Sequence, residues 1–404
     1  MPQSDDLSAT APVGESSTAR PAPDRPGSGR LGALDLLRGL VISLMAIDHA
    51  SYFVAKRHPG EFWGVPLPVY SDATAFLTRL VTHTAAPGFC LLMGASMILL
   101  AESRRRAGWS ESRLRRYFIT RGFLLILLQL FVENPAWLLG TVQTTPVSVE
   151  PPGGGGSVML HFGVLYALGA SMICCAFLLR VPSAILGLLG TAAVVATQLL
   201  TPAAEQAHEL FSPVTRLLLV AGHSGPWQVF YPLVPWAGVA SLGVILGRAL
   251  AQDSRRTMRA LAPLGAAVVV LFVVLRAAGG FGNIHPAVGP GWIDFLNLTK
   301  YPPALTFLLL TLGVDLLLLS AFAAGQAERR AWAGPLLLFG QTALFFYVVH
   351  LYVYALIGLA FPHGTSLGVM YAAWALGLGV LFPLCRTYRT FKRGTPLDSV
   401  WRLF

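Results

Sequence analysis

Apolar runs of about twenty residues recur between residues 33 and 385, and the basic residues collect on every second connection between them. This pattern restricts the fold more than any single motif. Coiled into a helix, each run matches the roughly 30 Å hydrocarbon core of a bilayer. Only helices and closed barrels satisfy their backbone polar groups in that medium. The chain is 54% hydrophobic and only 12% charged over 404 residues, with a mean hydropathy of +0.62. A soluble domain of this size would lack polar cover. The expected fold is therefore all-α, a polytopic membrane protein of about ten transmembrane helices. The spans are placed near 33–55, 73–101, 115–133, 158–180, 182–201, 230–250, 260–279, 302–324, 335–361 and 365–388.

Charge then orients the chain. Three basic residues precede the first run and six lie between 102 and 116 (Arg104, Arg105, Arg106, Arg113, Arg115, Arg116). Twelve more fall at Arg180, in 248–259, at Arg329 and Arg330, and in the C-terminal tail. The opposite connections hold only Lys56, Arg57, Arg216, Arg276 and Lys300. By the positive-inside rule both termini are expected in the cytoplasm, with the chain in the inner (plasma) membrane of a cell envelope. The net charge of +10 is thereby read as topology, with the lipid bilayer as partner and no nucleic acid. The basic loops would also attract anionic lipids or a phosphorylated cytosolic co-substrate.

Residues 1–30 are rich in Pro, Ser, Ala and Gly without an apolar stretch, so they are expected to form a disordered cytoplasmic tail rather than a signal peptide. Residues 31–390 are expected to form the membrane domain and 391–404 a cytoplasmic C-terminal tail. Cys90, Cys174, Cys175 and Cys385 lie in apolar segments without CxxC spacing and are read as packing residues. The PPGGGG stretch in 141–157 lacks the lysine and serine of a phosphate loop and reads as a flexible linker. No HxxxH or HExxH spacing occurs, so no metal is expected. The absence of an internal repeat counts against an inverted-repeat transporter.

Ionisable residues inside the spans are the candidates for chemistry, since each is costly there. The first run, LLRGLVISLMAIDH, holds Arg38 near one end and closes on Asp48–His49. His49 follows Arg38 by eleven residues, which on a helix is three turns and about 16 Å, so the two share a stripe. The loop after it carries His58, Glu61 and Trp63. In the second span Arg79 and His83 are four apart, on one face, and Pro87 would kink the helix a turn later. Glu133–Asn134–Pro135 ends the third span, Lys300 and Tyr301 precede the eighth, and Tyr347, His350 and Tyr354 share a face of the ninth. Asp315 is expected to pair with Arg38, Arg121 or Gln341. The loop histidines 208, 223, 285 and 363 are expected to be solvated.

RLGALDLLRGLVISLMAIDHA resembles the first-helix signature of the heparan-α-glucosaminide N-acetyltransferase catalytic-domain family. FLTRLVTHTAAPGFCLLMGAS, RGFLLILLQLFVENPAW, YPLVPWAGVASLGVILGR, NLTKYPPALTFLLLTLG and FGQTALFFYVVHLY resemble later blocks of its bacterial branch, from about residue 31 to 390. The first helix is also similar to that of membrane O-acyltransferases that modify surface polysaccharides, in which an arginine and a histidine so spaced serve catalysis. The eukaryotic family member bears asparagine at the position matching His49 and an active histidine in the following loop, where His58 is the nearest match.

The resemblance implies transfer of an acyl group, acetyl above all, from cytosolic acyl-CoA to an amine or hydroxyl of an extracytoplasmic glycan. Acetyl-CoA would be a co-substrate, with no cofactor bound permanently and homodimerisation left open. His49 oriented by Asp48, or else His58, would act as base. His83, Arg79 or Asn134 would steady the oxyanion. Arg38, Arg121 and the 104–116 cluster would meet CoA, while Glu133, Lys300, Tyr301 and His350 complete the binding set. The alternatives are a transporter or flippase of a sugar-linked or anionic lipid substrate, and an inactive relative acting as a membrane partner. The orientation is directly testable. Thr145→Cys should react with an impermeant thiol reagent from outside the cell and Gly108→Cys should not; the reverse pattern would invert the topology.

Overall fold

In the computed structural model, residues 32–141, 152–153, 160–207, 209, 211–396 and 399–404 are described. All belong to one unit, Leu31–Phe404; the expected tail 1–30, most of the 141–157 linker and His208 lie outside the described residues. The chain folds as helices α1 (Gly32–Phe53), α2 (Ala73–Thr82), α3 (Ala85–Arg106), α4 (Glu111–Leu128) and α5 (Asn134–Thr141). There follow α6 (Val164–Leu178), α7 (Ser183–Leu200), the short α8 (Pro213–Leu218) and α9 (Leu233–Ala278). The series ends with α10 (Trp292–Leu296), α11 (Leu305–Ala324), α12 (Ala333–Gln341), α13 (Ala343–Gly358) and α14 (Leu367–Gly394). Among the described residues six helical segments are long and apolar enough to cross a membrane, or seven if the bent pair α12–α13 counts as one. The protein is an all-α polytopic membrane protein.

The helices are interrupted at several places, two of them beside proline. At 46 residues α9 would be about 69 Å long, twice a bilayer core. It is interrupted at Asp253 (φ −148°, ψ 90°), between the two expected spans 230–250 and 260–279. The kink expected at Pro87 falls in the turn before it, at His83–Thr84, and Pro87 sits in the first turn of α3. That turn has no intrahelical use for the missing N–H. Pro135 likewise cannot donate to the turn behind it, and the chain widens there into a π-turn, Gln129–Glu133. The π-turn buries Glu133 while leaving Phe131 exposed. At Thr342 the chain bends by 98° between α12 and α13. The final helix runs to Gly394, past the expected end of the membrane domain at 390.

Lipid tails supply little hydrophobic force between helices, so close van der Waals approach holds the bundle together. The centre of the fold is α9, packed against α3, α7 and α11. There Gly94 of α3 faces the carbonyl oxygen of Ala240, and Gly243 of α9 faces that of Leu91. A Cβ on either would strike backbone, which cannot rotate away. On the other side α1 packs on α12 through Gly39 and Gly340 in the same manner.

A small three-stranded sheet covers one end of the bundle: β1 (Leu160–Phe162), β2 (Gly222–Ser224) and β3 (Trp227–Val229), in the order β1–β3–β2. β1 runs parallel to β3 and β2 antiparallel to it. Beside it, the α1–α2 loop is stitched to the segment before α11: Lys300 and Tyr301 both donate their N–H to Glu61 O at 3.0 Å, and Trp63 N–H returns to Tyr301 O at 3.0 Å. Gly94→Ala should lower the thermal unfolding temperature of detergent-purified protein by the equivalent of about 1–3 kcal/mol. An unchanged midpoint would mean that α3 and α9 separate without cost.

Candidate functional site

Burial of charge organises the site. Arg79 of α2 is 3% exposed, and its forked guanidinium is fully committed. Nε and Nη2 donate to the two carboxylate oxygens of Glu61 at 2.8 and 2.7 Å, while Nη1 donates to Asp48 of α1. A bidentate arginine–carboxylate pair of this kind has the geometry that makes such contacts strong. Burial alone would raise the Glu61 carboxyl, but the charge and hydrogen bonds of Arg79 outweigh it and hold the group well below the usual carboxylate range. His83, one turn further along, brings Nε2 to 3.5 Å from Glu61.

Asp48 therefore serves Arg79, and the expected pairing of Asp48 with His49 is not formed. Successive residues on a helix point about 100° apart, so the two side chains face different neighbours. His49 turns instead to α13, where its Nδ1 lies 2.5 Å from Nε2 of His350. The proton order of this pair follows from one more contact. His350 Nδ1 is 3.0 Å from the carbonyl oxygen of Phe346, which can only accept, so Nδ1 carries the hydrogen. In the neutral ring Nε2 is then the acceptor, and His49 Nδ1 must donate to it. This leaves the lone pair on His49 Nε2, which has no partner among the described residues. Trp137 of α5 packs its ring against His49 in an edge-to-face contact at 5.2 Å.

His49 lines a cavity of about 280 Å³ at this end of the bundle. Of the expected site residues, Asp48, His58, Glu133, Lys300 and Tyr301 line it with His49. Arg79, His83, Asn134 and His350 do not line it. Asn134 uses its Oδ1 to accept the backbone N–H of His161 at 3.0 Å, fastening β1 to α5. Glu133 receives Trp137 Nε1–H at 3.0 Å. His58 sits in the α1–α2 loop with Nδ1 unpartnered, and burial pushes its pKa down to about 4.

Two of the expected residues lie apart. Arg38 donates to Asp35 (2.8 Å), Ser96 (2.8 Å) and the carbonyl of Gly340 (3.2 Å), tying α1 to α3 and α12. Arg121 lies on α4 and does not line the cavity. Asp315 pairs with none of the partners expected for it: it is fully buried on α11 against Gly88 of α3, neither oxygen having a hydrogen-bond partner among the described residues. Gln341 is engaged with Arg389 at 3.3 Å instead.

Among the loop histidines, His363 is exposed as expected. His285 is half-buried, with Nδ1 2.8 Å from Thr299 Oγ1. His223 is buried at 6% exposure in β2 and lines the cavity, contrary to the solvated position expected for it. His161 and Gln228 line it too, and the only hint in the sequence was the alternation LHF and WQV in segments too short to stand out as strands. Tyr347, His350 and Tyr354 do share the inner face of α13. Tyr347 lines the cavity, while Tyr354 donates to Trp374 O at 3.0 Å.

The sequence-family model described as heparan-alpha-glucosaminide N-acetyltransferase, catalytic, matches residues 30–278, more than half of the chain. No curated protein matches the chain.

Two rings outside the helices give this site a pH signature. His58 and His161 are both pushed by burial from an ordinary 6.5 to about 4, His161 also by its neighbour His223. The unfolded chain then binds more protons than the folded one between those values. Stability should be level above pH 6.5 and fall towards pH 4 by at most about 1.4 kcal/mol per pH unit for each ring. Unfolding temperatures measured from pH 4 to 8 should show this slope, and His161→Gln should make it shallower. An identical slope in the variant would mean that His161 is not held neutral.

Proposed function

Because the chain belongs to the heparan-α-glucosaminide N-acetyltransferase catalytic-domain family, we propose that it transfers an acyl group, acetyl in the first instance, from cytosolic acyl-CoA to an amine or hydroxyl of an extracytoplasmic glycan. The observation that carries this reading is the proton order of the His350–His49 pair, which leaves one basic lone pair at the cavity. Acyl transfer needs such a group, because an amine or hydroxyl must lose a proton as it attacks the thioester. His49 Nε2 takes that proton while the acceptor's nitrogen or oxygen bonds to the acyl carbon. The tetrahedral intermediate then breaks its carbon–sulfur bond, and the proton held by His49 passes to the departing thiolate. Acyl acceptor and CoA leave with all atoms accounted for.

Lys300 and Tyr301, both lining the cavity, are the donors proposed for the developing oxyanion. Asp48 and Glu61 serve through Arg79, which steadies the helix end bearing His49. His58 shares the cavity, but no hydrogen bond among the described residues fixes its tautomer, and this favours His49 as the base. Both termini are proposed to be cytoplasmic. The 104–116 arginines and Arg121 then face the donor's phosphates, with Arg38 bracing the helix ends between them and the cavity.

With labelled acetyl-CoA and cell-envelope glycan, His49→Ala should lower turnover by about 10²–10⁴-fold with donor affinity unchanged. His350→Ala should lower it by about 3–10-fold, the worth of one net hydrogen bond. Activity in His49→Asn together with an inactive His58→Ala would move the base to His58. Movement of a substrate across the membrane with no donor present would replace the enzyme by a transporter.

A further inference from the structure

The cavity wall opposite the helices is the small sheet, and its two faces differ completely. Strand alternation sends Leu160, Phe162, Trp227 and Val229 to one side, into an apolar cluster with Tyr166 and Leu130. The intervening residues go to the other side. His161 and His223 each stand directly opposite Gln228 in the ladder, so the three form one row across adjacent strands. All three line the cavity, and His223 and Gln228 are less than a tenth exposed. The row His–Gln–His, in which the His161 and Gln228 side chains hydrogen-bond to each other, sets its polar groups about 4.8 Å apart from strand to strand.

This row is built rigidly. His161 N–H is held by Asn134 Oδ1 at 3.0 Å and His223 N–H by Pro152 O at 2.7 Å. The His161 ring stacks on Phe230 at 5.9 Å. Phe230, Tyr301 and Trp137 add flat apolar surface to the same cavity. Amide and imidazole groups beside aromatic faces suit a ring with hydroxyls on its edge and C–H groups on its face.

The charges narrow the class further. Lys300 is the one lysine or arginine lining the cavity among the described residues. Arg79 behind it is consumed by Glu61 and Asp48, and Asp48 and Glu133 themselves face the cavity. The linker residues 142–159, of which only 152–153 are described, contain no lysine or arginine in their sequence. An acceptor bearing sulfate or carboxylate would meet two carboxyl groups and one ammonium. Burial keeps the His161 ring neutral near pH 7, so that ring adds no counter-charge.

Resting on the acyltransferase reading, we propose that His161, Gln228 and His223 form the acceptor-recognition wall, and that it selects a sugar ring free of anionic groups. The row binds hydroxyls and sets acceptor specificity without touching the acyl donor.

Binding of methyl glucoside and of methyl glucuronide, which differ by a carboxylate, can be followed by calorimetry on the detergent-purified full chain. The uncharged glycoside should bind at least about tenfold more tightly than the glucuronide. Gln228→Ala should weaken it about 2–10-fold and leave acetyl-CoA affinity unchanged. Gln228→Glu, which keeps the side chain's size, should weaken it as well, and its retained acetyl-CoA affinity and unfolding temperature would certify folding. Equal binding of the two glycosides, no binding of either, or unaltered binding by both variants would overturn the proposal. Glycoside binding that depends on Gln228 without any acetyl transfer would remove the enzyme reading and keep the sugar wall. Transfer that proceeds equally well in Gln228→Ala at low acceptor concentration would do the opposite.

Discussion

The interaction on which the site depends is the burial of a single guanidinium, that of Arg79. A cation among packed helices has to be matched by carboxylates with good geometry, since an unpaired one costs several kcal/mol at least. Arg79 finds both partners outside its own helix: Glu61 in the preceding loop and Asp48 on α1. Glu61 is thereby fixed, and with it the backbone carbonyl that receives Lys300 and Tyr301. Two residues on, Trp63 drives its indole N–H into Ala221 O at 2.8 Å, next to the strand that carries His223. One ionic cluster thus sets the end of α1, the following loop, the segment before α11 and the edge of the sheet.

Sequence patterning made the helices legible because the bilayer imposes their length and apolarity, and it does so locally. Each expected span falls on a helix, and two of the departures occur where proline removes a backbone donor, at Pro87 and Pro135, while the bend at Thr342 has no proline beside it. The Arg79–His83 face was also visible, since helical spacing alone brings both side chains to Glu61. Residue adjacency misled at Asp48–His49: neighbours in sequence diverge around a helix, and each was claimed by a partner from elsewhere. His350 lies 301 residues from His49, and no local pattern can announce such a contact.

The sheet was missed for a different reason. Strands of three residues between long apolar runs carry too few alternations to rise above loop composition. Their two-sidedness becomes apparent only when β1 and β2 are laid beside β3 and the polar residues align. Asp315 shows the converse limit. Its place inside LTLGVDLLLLS demanded a partner, yet Gly88 simply leaves it room.

The ordered imidazole pair has a consequence for bookkeeping across the membrane. The Phe346 carbonyl closes the inner end of the chain of hydrogens, so the outer nitrogen of His49 is the sole place where a proton can arrive or depart. Beyond the Phe346 carbonyl no described side chain continues the chain of hydrogens, and in the proposed reaction a proton gathered at His49 passes to the departing sulfur. A cycle built on such a dead end moves no net charge through the bilayer. In the proposed reaction the proton and the acyl group thus exchange places between acceptor and sulfur, and the overall transfer is electroneutral.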